Sequence, residues 1–488
     1  MSGLTSTLLP AIVGLPLLGA VATLLAPERL IKPLNAAVSA LSLALALLLA
    51  AVFDPQGPTY QFAWVLPWIP SLHIHIDLAA DGIAVLMTLL NAVVFFTGTL
   101  TMWSLTHRIR EYFAFIALLV FGVYGVFLSR DLFAFFFFYE VAVLPMYPLI
   151  AVWGSTRRAY AAMKLTLYLM AGSALLFPAL IALFVLGGGD TWSIPELATR
   201  AIDPDVQVFL FPFLYVGFGI LAGMWPLHGW SPTGHVAAPT SVSMLHAGVL
   251  MKLGAFGILR VAIGILPAGA AYWAPTAAAF ATAGIIYGAF VAWRQTDFKY
   301  VIGFSSVSHM GIVLLGLATL DADGIRGAVL QMFAHGVMTA LFFSVVGFIY
   351  DQTHDREIAS YGGLVSQTPV AGTLFVLAAL CGMGVPGFAP FVAEFLVFVA
   401  ALKTYPVLGV IAIAGLVITA AYLLRVLGKA LFGAPNPARD SLVDLNGWQS
   451  IPRLILIGLL LLIGFVPNLA LDLIGLVSEL GQVAGGFR

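Results

Sequence analysis

The stretch Thr240-Ser-Val-Ser-Met-Leu-His246-Ala-Gly-Val-Leu-Met-Lys252-Leu-Gly-Ala-Phe-Gly-Ile-Leu-Arg260 decides the class of fold. It sits in an apolar run over about 240–264, with a lysine roughly a dozen residues in. At about 1.5 Å per residue such a run crosses the roughly 30 Å hydrocarbon layer as one helix, with Lys252 near mid-depth. A charged side chain there costs about 2.5–3.5 kcal/mol even on the lenient insertion scale. A residue kept at that cost faces a protein interior or a hydrated path.

The rest of the chain has the same character. Of 488 residues, 61% are hydrophobic and 9% charged, and the mean hydropathy is +1.04. A soluble domain carries about 25% charged residues, so this chain cannot coat itself for water. That excludes a soluble enzyme, a nucleic-acid binder and a disordered chain. The net charge of −1 offers neither a basic patch nor an acidic tail. The single cysteine, Cys381, excludes a disulfide framework, a Cys-ligated zinc and an Fe–S cluster, and reads as a packing residue. No cationic region precedes Leu4–Ala26, which reads as a first span rather than a cleaved signal peptide.

The pattern predicts an all-α polytopic membrane protein with about 14 transmembrane helices, near 4–26, 33–53, 80–104, 111–129, 131–153, 161–187, 206–228, 240–264, 273–294, 300–320, 326–350, 370–402, 406–431 and 452–482. Residues 54–79 carry four prolines and the alternating run His73-Ile74-His75-Ile76-Asp77, which predicts a strand or hairpin outside the membrane. Loops after odd-numbered spans hold 12 Lys and Arg, including Lys299 and Arg453, against 6 after even-numbered spans and at the C-terminus, including Arg260. The bias places the first set in the cytoplasm and both termini outside.

Three cations (Lys164, Lys252, Arg425), two carboxylates (Glu140, Glu394) and three histidines (His246, His309, His335) fall within spans. Glu140, Lys252, His309 and His335 all lie about ten to twelve residues into their helices, near mid-depth, so four helices contribute ionisable groups at one level. Such a string is what proton movement needs. Each residue also has a plainer reading. His246 could be an interhelical hydrogen-bonder, Lys164 and Arg425 could snorkel to the surface, and Glu140 and Lys252 could belong to structural salt bridges.

Two spans are interrupted. Helix 7 ends in Met224-Trp225-Pro226-Leu227-His228-Gly229-Trp230-Ser231-Pro232, and helix 12 carries Cys381-Gly382-Met383-Gly384-Val385-Pro386-Gly387-Phe388-Ala389-Pro390 just before Glu394. Proline removes a backbone donor and clashes with the preceding turn, so helices 7 and 12 must break or bend. Interruptions five spans apart suggest two inverted five-helix repeats, spans 4–8 over 111–264 and spans 9–13 over 273–431. Residues 1–110 would add three helices and the external hairpin, and 432–488 a last span.

The stretches Trp225-Pro-Leu-His-Gly-Trp-Ser-Pro, Leu250-Met-Lys-Leu-Gly-Ala-Phe-Gly-Ile-Leu-Arg260, Asp297-Phe-Lys-Tyr-Val-Ile-Gly-Phe-Ser-Ser-Val-Ser-His309-Met-Gly and Gln331-Met-Phe-Ala-His335-Gly resemble the antiporter-like membrane subunits of respiratory complex I (NADH-quinone oxidoreductase) and the related Mrp antiporters. The likeness runs in order from about Asp131 to Arg425 and is nearest to the NuoM type, because Glu394 stands where sister subunits carry lysine. The resemblance implies proton translocation by Glu140, Lys252, His309, His335 and Glu394, entering from the cytoplasm near Lys164 and Lys252 and leaving by Glu394. It implies no cofactor on this chain, with NADH, FMN, Fe–S clusters and quinone in partner subunits, and a place in a bacterial inner membrane among sister antiporter-like subunits.

One position departs from the family. The lysine that usually partners the span-5 glutamate aligns with Leu221, and no Lys or Arg occurs between Arg200 and Lys252. Either Lys164 or His246 stands in as the partner of Glu140, or the N-terminal half works differently. Other functions compatible with the pattern are an Mrp-type cation/proton antiporter subunit, a membrane subunit of a related hydrogenase or inorganic-carbon uptake complex, and a spacer that does not pump.

Overall fold

The computed structural model describes residues 2–475, almost entirely as helix. Thirteen helices among the described residues are long and apolar enough to cross a membrane. The fourteenth expected span is the broken one, as two shorter pieces. The chain is an integral membrane protein.

The order begins with α1 (Ser2–Leu25) and α2 (Glu28–Val52). A hairpin follows, β1 (Gln61–Ile69) paired antiparallel with β2 (Ile74–Ala80), as the alternating run predicts. Next come α3 (Gly82–Thr101), α4 (Ile109–Leu128), α5 (Leu132–Val143), α6 (Met146–Trp153), α7 (Arg158–Leu186) and the short α8 (Ile194–Leu197). After α9 (Pro204–Ala222) and α10 (Trp230–Ala237), one continuous span is built from α11 (Thr240–Leu245), a π-helical turn His246–Leu250, α12 (Met251–Gly257) and a second π-helical stretch Ile258–Ile263. The second half holds α13 (Pro267–Arg294), α14 (Phe298–Ala318), α15 (Ala322–Thr353), short α16 (Leu364–Gln367), α17 (Pro369–Gly382), α18 (Ala389–Thr404), α19 (Pro406–Val426), α20 (Gly447–Phe465) and α21 (Asn468–Ile474). Residues 476–482 of the last expected span lie outside the described residues.

Where a helix begins, an aspartate often caps it. Asp81, Asp131, Asp297 and Asp321 each accept a backbone N–H in the first turn of α3, α5, α14 and α15, satisfying donors that a helix start leaves open. The loops around the hairpin meet one another, with bridges Leu78 to Ser129 and Asp131 to Ser193, whereas Asp297 bridges to Glu357 among the loops after odd-numbered spans. The molecule thus has a hairpin side and an opposite side.

The core is the buried Thr240–Ile263 span, with α9 and α15 packed on it and α3 behind. In lipid, close backbone approach rather than water exclusion holds helices together, and small residues permit it. Gly248 and Gly336 are such a pair: a Cβ on Gly336 would lie 2.5 Å from the Gly248 carbonyl.

Two expectations are corrected, while the span predicted over 131–153 is present as Leu132–Trp153, interrupted at Leu144-Pro145 between α5 and α6, where Pro145 cannot donate to the preceding turn. The seventh span does not stop at 228: after an irregular stretch it resumes as α10, buried through Ala237. The cations Lys299, Arg260 and Arg453, expected in loops, all belong to helical segments. Lys299 and Arg453 are 2% and 3% exposed, and Arg260 is turned inward against Asp81. Their long stems let the charged ends reach carbonyls or carboxylates at helix ends.

Candidate functional site

The irregular backbone and the ionisable residues occur together. The π turn at His246–Leu250 widens the helix by one residue, and the Lys252 ammonium donates to the Ala247 carbonyl within it. The Gly248–Gly336 contact presses α15 against this turn. As a result Lys252 Nζ lies 2.6 Å from His335 Nδ1, with both residues at 0% exposure. At that separation the amine and the imidazole cannot both be charged, since two positive charges would repel strongly in a medium of low dielectric.

From His335 the chain of groups continues. The rings of His335 and His309 are 5.4 Å apart, centre to centre. His309 Nδ1 lies 3.2 Å from Glu394 Oε1. Gln331, one turn before His335 on α15, donates to the same Glu394 oxygen at 3.0 Å and lies 3.3 Å from His309 Nδ1. The His309–Glu394 contact sets a carboxyl oxygen within reach of an imidazole nitrogen, a geometry across which a proton can pass.

The break in the twelfth span positions Glu394. Gly384, at φ +68°, lies in the gap between α17 and α18, and a Cβ there would fall 2.5 Å from Glu394 Oε2. That oxygen, His309 Nε2 and His335 Nε2 are buried with no hydrogen-bond partner among the described residues.

Four of the seven predicted residues, Lys252, His335, His309 and Glu394, are therefore brought into one line. The other three are not part of it. Glu140, at the end of α5 before the Pro145 break, accepts from Ser173 Oγ at 2.5 Å and is half-buried. Lys164 donates to Thr233 at 3.3 Å and lies 5.8 Å from the Tyr160 ring. His246 is sandwiched between Trp230 at 5.1 Å and His235 at 4.2 Å, with neither ring nitrogen partnered among the described residues. Neither Lys164 nor His246 makes a direct contact with Glu140, so the substitute-partner expectation is corrected: a hydroxyl, not a cation, faces the carboxyl. Leu221 is buried at 1%. Arg425 does reach an interface, donating to the Trp293 and Gln295 carbonyls at the end of α13.

Sequence reasoning missed His235, Gln331 and Lys299. His235, fully buried on α10, bonds Ser231 at 3.0 Å, and the signal was the continuation of the Trp-Pro stretch through Pro232 into a second helix piece. Gln331 stands one turn from His335, a spacing that puts both on one face. Lys299 donates to the Ala238 carbonyl at 2.8 Å, and Arg356 holds the Val236 carbonyl at 2.8 Å, so the end of α10 is tied down by two cations.

Residues 129–419 match the family model described as NADH:quinone oxidoreductase/Mrp antiporter, transmembrane. The chain belongs to this family. NADH-quinone oxidoreductase subunit M of Rhodobacter capsulatus is 33% identical over 464 residues, covering 92% of this chain and 90% of that protein. NAD(P)H-quinone oxidoreductase chain 4 1 of Synechococcus sp. (strain JA-2-3B'a(2-13)) is 35% identical over 475 residues, 95% of this chain and 90% of that one. Among solved structures, a chain of respiratory complex I from Thermus thermophilus with bound NADH superimposes with a TM-score of 0.91 at 27% identity, covering 98% of this chain and all of the other. The family's matched segment contains every member of the buried line from Lys252 to Glu394.

Proposed function

We propose that this chain is a proton-translocating membrane subunit of an NADH:quinone oxidoreductase. The single observation that carries the reading is the buried line Lys252, His335, His309, Glu394, contributed by four helices and aided by Gln331. Protons pass along it by changes of charge at neighbouring groups: protonation of one raises or lowers the proton affinity of the next. The chain carries no redox chemistry of its own. NADH, FMN, Fe–S clusters and quinone belong to partner subunits, whose electron transfer drives the charge changes. The likeness to subunit M relatives over nine-tenths of their length supports this placement over that of an independent antiporter.

In this reading the protein lies in a bacterial inner membrane beside sister antiporter-like subunits, with both termini outside and the hairpin side external. Residues 111–264 and 273–431 are inverted repeats, flanked by 1–110 and 432–488. Protons enter from the cytoplasmic side near Lys164 and Lys252 and leave by Glu394. Glu140, facing Ser173, and His246, against His235, serve the N-terminal half.

The test is Glu394→Gln in the whole complex, in inverted membrane vesicles supplied with NADH. The reading requires fewer protons moved per NADH oxidised, with the complex assembled. An unchanged ratio supports a spacer instead.

A further inference from the structure

Outside the line described above lies a buried hydroxyl pair that the proposed path does not use. Tyr422 on α19 is fully buried, and its Oη donates to Ser305 Oγ on α14 at 2.7 Å. Ser305 is 5% exposed, and its own O–H is donated to no described residue. One turn further along the same helix face stands His309, whose Nε2 is buried without a partner among the described residues. Residues four apart on a helix have Cβ atoms roughly 5–6 Å apart, a span that one water bridges. A donor without a described acceptor thus stands one turn from an acceptor without a described donor.

The direction of this pair is fixed by the fold. Helix α14 starts on the side opposite the hairpin, so Ser305 lies nearer that face than His309 does. Helix α19 ends on that side as well, and three residues after Tyr422 the Arg425 guanidinium binds the Trp293 and Gln295 carbonyls, half-exposed at the end of α13. The groups therefore run from the surface at Arg425 and Gln295, by Tyr422 and Ser305, to His309 and Glu394.

A second buried pair, Tyr112 with Ser241 at 2.6 Å, sharpens the argument by contrast. Ser241 precedes His246 by five residues, which at about 100° per residue puts them roughly 140° apart around the helix. That pair does not point at its imidazole. Ser305 and His309 do share a face.

We propose that Tyr422 and Ser305 are a proton inlet to His309 from the side opposite the hairpin. The inference rests on the reading of the Lys252–Glu394 line as a proton path. With His309 Nδ1–H facing Glu394, Nε2 is free to accept. A water between Ser305 and His309 passes a proton to His309 Nε2 and takes the Ser305 hydroxyl proton as Ser305 Oγ takes that of Tyr422, and Tyr422 is reprotonated from the aqueous face. Neither hydroxyl keeps a charge, and the net change is one proton added to the imidazole. Both residues relay protons.

The experiment compares Tyr422→Phe, Ser305→Ala, their double variant and Glu394→Gln in the intact complex, in inverted vesicles with NADH. Phenylalanine keeps the ring packing and removes only the hydroxyl. We expect Tyr422→Phe and Ser305→Ala each to reproduce at least half of the Glu394→Gln deficit in protons per NADH. The double variant should be no worse than the poorer single, because the two groups act in series. The ratio of pumping rates in H2O and D2O should rise in both single variants, which a packing role would not produce; an unchanged ratio contradicts the relay. Should Tyr422→Phe fail to assemble, Ser305→Ala decides alone. Wild-type stoichiometry in the hydroxyl variants alongside a deficit in Glu394→Gln overturns the inlet and leaves the path standing. Wild-type stoichiometry in Glu394→Gln overturns the path itself.

Discussion

Lys252 Nζ and His335 Nδ1 approach to 2.6 Å although 83 positions separate them in sequence. Two features make this possible: a π turn that places the Ala247 carbonyl under the amine, and a glycine pair that lets α15 come close. The contact joins the two halves of the chain at mid-membrane.

Lys252→Met should keep the packing volume and lower proton translocation through this subunit, read as protons per NADH in vesicles. Lys252→Arg should not restore it. Guanidinium holds its proton far too tightly to exchange it, and its planar fork does not fit one imidazole nitrogen. Full activity in the arginine variant would mean that only the charge matters.

Gly336→Ala places a Cβ 2.5 Å from the Gly248 carbonyl, which is backbone and cannot rotate away. Relief requires α15 to move from the π turn, lengthening the Lys252–His335 contact. Overpacking of this kind costs about 1–3 kcal/mol. A lower thermal midpoint together with fewer protons per NADH is expected. Unchanged values of both would show that the helices are not held at this distance.

Gly384→Ala meets two obstacles, a left-handed backbone at φ +68° and the Glu394 carboxylate 2.5 Å from the new Cβ. The backbone strain alone is about 1–3 kcal/mol. The variant should pump less than wild type while oxidising NADH at the wild-type artificial-acceptor rate, since in the proposed reading electrons do not pass through this chain. Normal pumping would place Glu394 elsewhere.

Glu140 faces a serine hydroxyl, and the aligned cation position holds Leu221. Glu140→Gln can keep the Ser173 bond and should retain more than half of wild-type pumping, in contrast to Glu394→Gln. Equal losses in the two variants would put Glu140 on the main path.

Much of this was legible in the sequence. Fourteen apolar runs at helical length announced the architecture, and Lys252, His309, His335 and Glu394 stood out because a titratable group in an apolar run has a cost that must be met. The break at Cys381–Pro390 was readable from its glycines and prolines. Other features were not. The π turn at His246–Leu250 involves no unusual residue, only a backbone register set by packing against α15. His235 was hidden because its helix piece follows a proline-rich stretch that resembles a loop, and Lys299 because a cation at a helix start reads as surface. The pairing of Glu140 with Ser173 depends on the rotation of α7 against α5, which periodicity does not specify. For the same reason no reading of one helix could have matched Tyr422 with Ser305.

The most direct test of the central claim is the number of protons moved per NADH oxidised by the assembled complex carrying Glu394→Gln, in sealed inverted vesicles. The account predicts a reduced ratio with the complex at wild-type abundance. A ratio equal to wild type would contradict it.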